Sequence, residues 1–270
     1  MQFIGQTRNL EIIDKWEKLP NFIIIQGDRH TGKTYLAKYI CNKFNISYVA
    51  MKNGISDIRG LLETMSVGAN VAYHFKDFDK ASLQAKNALL KVAEETPAGN
   101  TIIITGNKQI PTLESRARKL VMSSYTKEEM LTYIAKYYTE DKVFDYYKAG
   151  FNTPAKVLMY KEYAGIDDVL NYAYNIFDHL PVMSIDMVVY LTHRFESRYD
   201  KLDVSILFLD MLINIINYKS KYELNYGYSF QNVLDNLIEC KEAIMKDPTL
   251  NRKFMLYKAF YNVMLLEGNL

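Results

Sequence analysis

Cysteine is nearly missing from this chain of 270 residues: Cys41 and Cys240 are the only two. They lie far apart and match no metal-ligand spacing, so neither a disulfide framework nor a zinc site is expected. Histidine is almost as scarce. His74, His179 and His193 stand singly, without a partner at ligand spacing, and read as structural or solvated groups. An excess of one charge is also missing. The net charge of +2 gives no global basic field, so any nucleic-acid contact has to come from a local patch or from an assembled oligomer. No apolar run is long enough to span a bilayer. The start, Met1-Gln2-Phe3-Ile4, has no charged region leading into an apolar stretch and does not read as a signal peptide. A cytoplasmic location without a membrane partner is the expectation.

Against these absences stand 49% apolar residues, enough for real cores, and a length that suits one to three domains. The apolar run Phe22-Ile23-Ile24-Ile25 leads into Gly27-Asp28-Arg29-His30-Thr31-Gly32-Lys33-Thr34. This is a strand entering a G-x-x-x-x-G-K-T loop with a helix behind it. In such a loop the backbone N–H groups cradle phosphates, Lys33 reaches the β and γ oxygens, and the Thr34 hydroxyl is placed for Mg²⁺. The positive end of the following helix adds to the attraction. The whole segment Gly27 to Thr34 is therefore a candidate triphosphate site.

Strand signals at Asn21–Gln26, Ser47–Met51, Asn70–Phe75, Thr101–Thr105 and Lys119–Met122 alternate with helical stretches at Thr7–Lys18, Thr34–Phe44, Ile55–Met65 and Leu83–Glu94. The βαβ alternation predicts a mostly parallel sheet covered on both faces, with ligands at the carboxyl ends of its strands. After Tyr125 the strands vanish. Thr126-Lys127-Glu128-Glu129 is a capping box. Helical spacing follows at Asp141–Ala149, Thr153–Ala164, Asp167–His179, Ser184–Ser197, Val204–Lys221, Phe230–Lys246 and Leu250–Leu266. The expected plan is an α/β domain over 1–123, a small helical domain over 124–164 and an all-helical domain over 165–270. The nearly all-round apolar run Leu207 to Ile216 reads equally as bundle core or as an oligomer contact. The 22 tyrosines, with Tyr137-Tyr138, Tyr146-Tyr147 and Tyr222–Tyr228 among them, read as packing aromatics ahead of base-stacking platforms.

Three further segments carry a resemblance. They are Asn87-Ala88-Leu89-Leu90-Lys91-Val92-Ala93-Glu94-Glu95-Thr96-Pro97, the Thr105-Gly106-Asn107 stretch, and Ser115-Arg116-Ala117. With the phosphate loop, they make residues 1–122 resemble the AAA+ ATPases of sliding-clamp loaders, nearest the delta-prime and gamma/tau subunits of the bacterial replicative polymerase and replication factor C. The family has N-A-L-L-K-x-x-E-E-P-P and S-R-C where this chain has Thr96 and Ala117. The resemblance implies an AAA+ domain, a helical lid and a helical collar. It implies ATP and Mg²⁺ as ligands, with other loader subunits, a sliding clamp and primer-template DNA as partners. It places Ile4, within Phe3-Ile4-Gly5-Gln6, beside the adenine, Asn107 near the γ-phosphate, and Arg116 as an arginine finger for a neighbour's nucleotide.

The departures matter as much. Family ATPases close the strand before the N-A-L-L-K helix with Asp-Glu. Counting back from Asn87, those places fall on Lys76 and Asp77. One residue later, Asp77 is the metal-side carboxylate and Phe78 stands where the catalytic glutamate belongs. Lysine has only donors and cannot ligate Mg²⁺. Asp77, with Thr34, is the candidate metal ligand. The lid's arginine is replaced around Ala155-Lys156. A delta-prime-like subunit, nucleotide-binding and weakly hydrolytic, is the first reading. An active motor using Asp77 or Asp79, or an AAA+ switch unrelated to clamps, are its rivals.

Overall fold

In a computed structural model, residues 3–161, 163, 165–199, 201–223 and 230–267 are described. Met1, Gln2, Ala164 and most of the Tyr222–Tyr228 segment lie outside them. The chain divides into two compact units, Met1–Glu129 with Thr153–Lys156, and Met130–Asn152 with Val157–Leu270.

The first unit holds a five-stranded parallel sheet. Its strands are β1 (Phe22–Gln26), β2 (Ser47–Met51), β3 (Val71–Phe75), β4 (Asn100–Gly106) and β5 (Arg118–Val121), in the order β2-β3-β4-β1-β5. β1 and β4 are buried along their whole length, as befits central parallel strands covered on both faces. The edge strands β2 and β5 are mostly exposed, with Leu120 of β5 buried. Helices α1 (Thr7–Asp14), α2 (Lys33–Lys43), α3 (Ile55–Arg59), α4 (Leu61–Thr64), α5 (Leu83–Glu95) and α6 (Pro111–Glu114) connect them. Two apolar layers flank the sheet. One packs Phe22, Ile24, Ile102 and Ile104 against α5 through Leu89 and Val92. The other packs Ile23, Ile25 and Ile103 against α2 through Leu36, Ala37 and Ile40. Successive residues of one strand thus serve opposite layers.

The helix expected at 55–65 is broken into α3 and α4 at Gly60, which caps α3; glycine is the weakest non-proline helix former. The first helix stops at Asp14 instead of reaching Lys18, ahead of the Leu19-Pro20 approach to β1.

In the second unit, α7 (Lys127–Ile134, begun in the first), α8 (Val143–Lys148), α9 (Pro154–Tyr160), α10 (Ile166–His179), α11 (Ile185–Tyr199), α12 (Leu202–Tyr222), α13 (Gln231–Lys246) and α14 (Arg252–Glu267) follow one another. The capping box forms as expected. Thr126 N–H donates to Glu129 Oε2 at 2.8 Å and Glu129 N–H to Thr126 Oγ1 at 3.2 Å. α12 packs on α10 and α13, and α14 on α11 and α13. The run Leu207, Phe208, Leu209, Met211, Leu212, Ile213, Ile215 and Ile216 is buried within the single chain. It therefore needs no neighbouring chain to cover it. The tyrosines pack likewise: Tyr138, Tyr146 and Phe151 form one aromatic cluster, and Tyr147 and Tyr222 meet Tyr218. None of the described helices is long and apolar enough to cross a membrane.

Candidate functional site

Because the strands are parallel and β3, β4 and β1 are neighbours, the segments leaving their carboxyl ends lie side by side. They are Lys76–Asp79 after β3, Asn107–Gln109 after β4 and Gly27–Gly32 after β1. Gly106 links two of them, its carbonyl accepting the Gly27 N–H at 3.1 Å.

The loop after β1 adopts backbone angles that few side chains tolerate. Gly27, His30 and Gly32 have φ of 153°, 66° and 91°. A Cβ on Gly27 would lie 2.7 Å from Met122 Cβ, so only glycine fits beneath the exit of β5. Thr31 Oγ1 bonds the Asp28 carbonyl at 2.8 Å, and Tyr125 Oη donates to the Thr31 carbonyl at 2.9 Å. Burial, helped by Glu129, pushes the Tyr125 phenol up to about 12, while a bond with Gln6 opposes this. Gly32 is the N-cap of α2 and supplies no side-chain cap. The first-turn N–H groups of this 11-residue helix therefore face the loop's interior without a side-chain acceptor, as in anion-binding helix termini.

Lys33 folds back over the loop. Its ammonium donates to the Gly27 carbonyl at 2.7 Å and to the Asp28 carbonyl. Its pKa is lowered, first by burial and slightly by Arg29, against the opposing pull of Asp77, Asp79 and Asp28. Asp77 and Asp79 thus both bear on the loop lysine. A cation and two carboxylates act on one another at this edge of the sheet, with Thr34 the next residue of α2, a set that suits a triphosphate with a divalent ion bridging to protein oxygens.

Phe3-Ile4-Gly5-Gln6 runs beside this mouth. Gln6 is buried; its amide donates to the Ser123 carbonyl at 2.7 Å and its carbonyl accepts the Ser123 N–H at 3.0 Å. Ile4 is half-buried in that segment. Phe3 meets the Tyr35 ring, centroids 5.0 Å apart, on α2. Arg29, His30 and Asn107 are exposed.

No protein-family model matches the sequence, and no curated protein matches it. Solved structures do. One is a DNA polymerase III gamma subunit-related protein from Thermotoga maritima, at 17% identity and TM-score 0.52, covering 97% of this chain and 100% of that one. Two variants of RuvB from the same organism follow at 14% identity. One has TM-score 0.51 over 98% of this chain and 89% of that one, the other 0.50 over 83% and 84%. At these identities the likeness is one of fold: a parallel α/β sheet domain followed by helices.

In this fold the candidate side chains divide between the two ends of the sheet. Phe78 is not at the pocket mouth. Asp77 takes a left-handed conformation, φ 51°, and a 3-10 turn over Phe78–Lys80 follows. The turn drives Phe78 into the core, fully buried, with its ring 5.6 Å from that of Phe75. The same turn returns Asp79 to the mouth beside Gly106. Arg116 lies elsewhere. It precedes β5, whose Arg118 pairs with Ile23 at the start of β1, so it is at the sheet end away from this chain's own loop. Its Nε donates to Glu94 Oε1 at 2.5 Å and its Nη1 to the Thr112 carbonyl at 3.1 Å. Gln109 was missed from sequence. It is buried at 4% exposure, and nothing in the local pattern Lys108-Gln109-Ile110 separates it from a solvated loop residue.

Proposed function

We propose that this chain is a delta-prime-like clamp-loader subunit. It binds ATP with Mg²⁺ at Gly27–Thr34, turns it over slowly alone, and presents Arg116 to nucleotide held by a neighbouring subunit. The observation that carries the proposal is the meeting of the glycine-walled loop, the uncapped α2 terminus and Lys33 at the carboxyl edge of a parallel sheet. Gly27, Arg29, His30, Thr31, Gly32, Lys33 and Thr34 would cradle the phosphates, and Ile4 would flank the base. Thr34 and Asp77 would hold the metal, whose charge would neutralise the phosphate oxygens.

Arg116 serves a neighbour because it lies across the sheet from its own loop and remains exposed. A guanidinium suits that task, being permanently charged and planar. Within this proposal 1–123 is the AAA+ domain, 124–164 the lid and 165–270 the collar. The partners are other loader subunits in a ring, a sliding clamp, and primer-template DNA met through the assembled complex. Slow intrinsic turnover follows from Lys76, which replaces a metal-side carboxylate, and from the neighbour's finger missing in an isolated chain. Titration calorimetry with ATP, with and without Mg²⁺, tests the binding claim. Saturable one-site binding strengthened by Mg²⁺ is expected, and no binding to the folded chain overturns it.

A further inference from the structure

The segment leaving β5 reaches back to the loop after β1. Tyr125 Oη donates to the Thr31 carbonyl at 2.9 Å. Thr31 is only 4% exposed, so without that hydroxyl its carbonyl loses a bond where water has little access. The bond also sets a direction. In a planar trans peptide the C=O and the following N–H point opposite ways. Holding the Thr31 carbonyl on Tyr125 therefore turns the Gly32 N–H away from the phenol. A Cβ on Gly32 would lie 3.3 Å from Tyr125 Oη, so the phenol sits directly on this peptide.

Tyr125 is itself held. The Gln6 amide supports the phenol oxygen as a hydrogen-bond donor. The phenol's own proton is then left for Thr31. Gln6 also grips Ser123 twice, through the Ser123 carbonyl at 2.7 Å and the Ser123 N–H at 3.0 Å. On the other side of Tyr125, the Thr126 N–H donates to Glu129 Oε2 at 2.8 Å. Gln6 takes this place in a left-handed conformation, φ 59°, which few non-glycine residues adopt. A residue stays in such a conformation only where its surroundings over-determine it, and such residues cluster at functional sites.

We propose that Tyr125 is a positioning residue for nucleotide: through the Thr31 carbonyl it keeps the Thr31–Gly32 peptide turned so that the Gly32 N–H meets a phosphate oxygen, and Gln6 keeps Tyr125 in place. The inference rests on the nucleotide-binding reading above. Tyr125 acts through the backbone and touches no ligand itself. Its effect falls on the fraction of chains whose loop is ready, and apparent affinity scales with that fraction. Loss of the hydroxyl should therefore slow association and leave dissociation nearly untouched. It should also weigh equally on diphosphate and triphosphate, because the loop must be set for either.

The test uses the full chain with Mg²⁺ and follows ADP and a non-hydrolysable ATP analogue by calorimetry and stopped flow, with melting temperature in parallel. Tyr125→Phe removes the hydroxyl alone. Tyr138→Phe is the control, since its enclosed hydroxyl has no hydrogen-bond partner among the described residues. Tyr125→Phe should weaken both nucleotides by about five- to tenfold, the scale of one hydrogen bond. The loss should lie in the association rate, with dissociation within about twofold of wild type. Tyr138→Phe should change neither nucleotide's binding. A Tyr125→Phe chain with wild-type affinity overturns the proposal, whatever its melting temperature. So does a loss carried by faster dissociation or confined to the triphosphate, either of which makes the hydroxyl a direct ligand contact. An equal loss in Tyr138→Phe overturns it as well. Wild type binding neither nucleotide overturns the phosphate-loop reading itself, a result distinct from binding that ignores Tyr125.

Discussion

Replacing Arg116 with alanine should cost the fold almost nothing and cost a neighbour's hydrolysis a great deal. Arg116 meets Glu94 at 2.5 Å, but the two side chains are 44% and 54% exposed. Exposed ion pairs contribute about 0–1 kcal/mol. In a domain of this size that moves the melting temperature by a few degrees at most, roughly 2–4 °C per kcal/mol. By the same token, Arg116 leaves Glu94 for a triphosphate at little cost. An arginine finger contributes ~10³–10⁵ in rate, which is about 4–7 kcal/mol of barrier. The two magnitudes do not overlap, so one variant separates a surface arginine from a finger. The assay is clamp- and DNA-stimulated phosphate release by the reconstituted complex, with this chain as wild type or Arg116→Ala. Arg118→Ala is the control of choice. Lys119 is less suitable, because it pairs at 3.0 Å with Glu114, whose other oxygen takes the amide of Gln26 at the end of β1. Unchanged complex turnover refutes the reasoning. So does a loss of this chain's own ATP affinity as large as that of a phosphate-loop variant.

Three other expectations are independent of a partner. Lys33→Met should weaken ATP binding by ~100-fold or more, since charge-assisted contacts contribute about 1.5–3 kcal/mol each and 1.4 kcal/mol is about tenfold. Calorimetry giving equal affinities would remove the loop's role. His74, 1% exposed, lies between the Tyr48 hydroxyl at 2.6 Å and the Thr105 hydroxyl at 3.1 Å. Burial foremost and then Lys76, opposed by Asp77 and helped less by Lys38, depress it from 6.5 to about 4. A depressed histidine favours the folded state fully above its unfolded pKa. Stability should therefore fall by about 3 kcal/mol as pH drops from about 6.5 toward about 4, and urea titrations of His74→Gln should show a flatter profile. Gly150 has φ 94°, and a Cβ there would lie 2.6 Å from Asn214. Gly150→Ala should lose about 2 kcal/mol or more, since the left-handed region alone costs about 1–2 kcal/mol; denaturant unfolding that matches wild type would contradict the packing around α12.

The loop between β1 and α2 was legible as a phosphate-binding candidate because its signal is local: glycines, lysine and threonine at fixed spacing between a strand and a helix. The parallel sheet was legible for a similar reason, since Phe22–Gln26 and Thr101–Thr105 are apolar runs too short for helices. What was hidden depends on contacts between segments far apart in sequence. In the register one residue later than the count from Asn87, Phe78 stood in the place of the catalytic glutamate. The left-handed turn at Asp77 decides otherwise, exchanging Phe78 for Asp79 at the mouth. Gln109 was hidden because its amide shares the face of Gly106 with Asp79, which lies on a segment far earlier in the sequence. The apolar stretch Leu207–Ile216 left core and interface equally open until α10 and α13 were found packed on α12. The helix over 55–65 failed at one glycine, where a residue's weak propensity outweighed an otherwise helical pattern.

The account's central claim is that this chain works inside a clamp loader. The most direct measurement is purification of the tagged full chain from its native cells, in the presence of ATP and Mg²⁺, with identification of the bound proteins by mass spectrometry. The account predicts a ring-forming sliding clamp together with other AAA+ subunits in fixed proportion, both lost from the Lys33→Met chain. Recovery of the folded chain with AAA+ subunits but no clamp, or with neither, would contradict it.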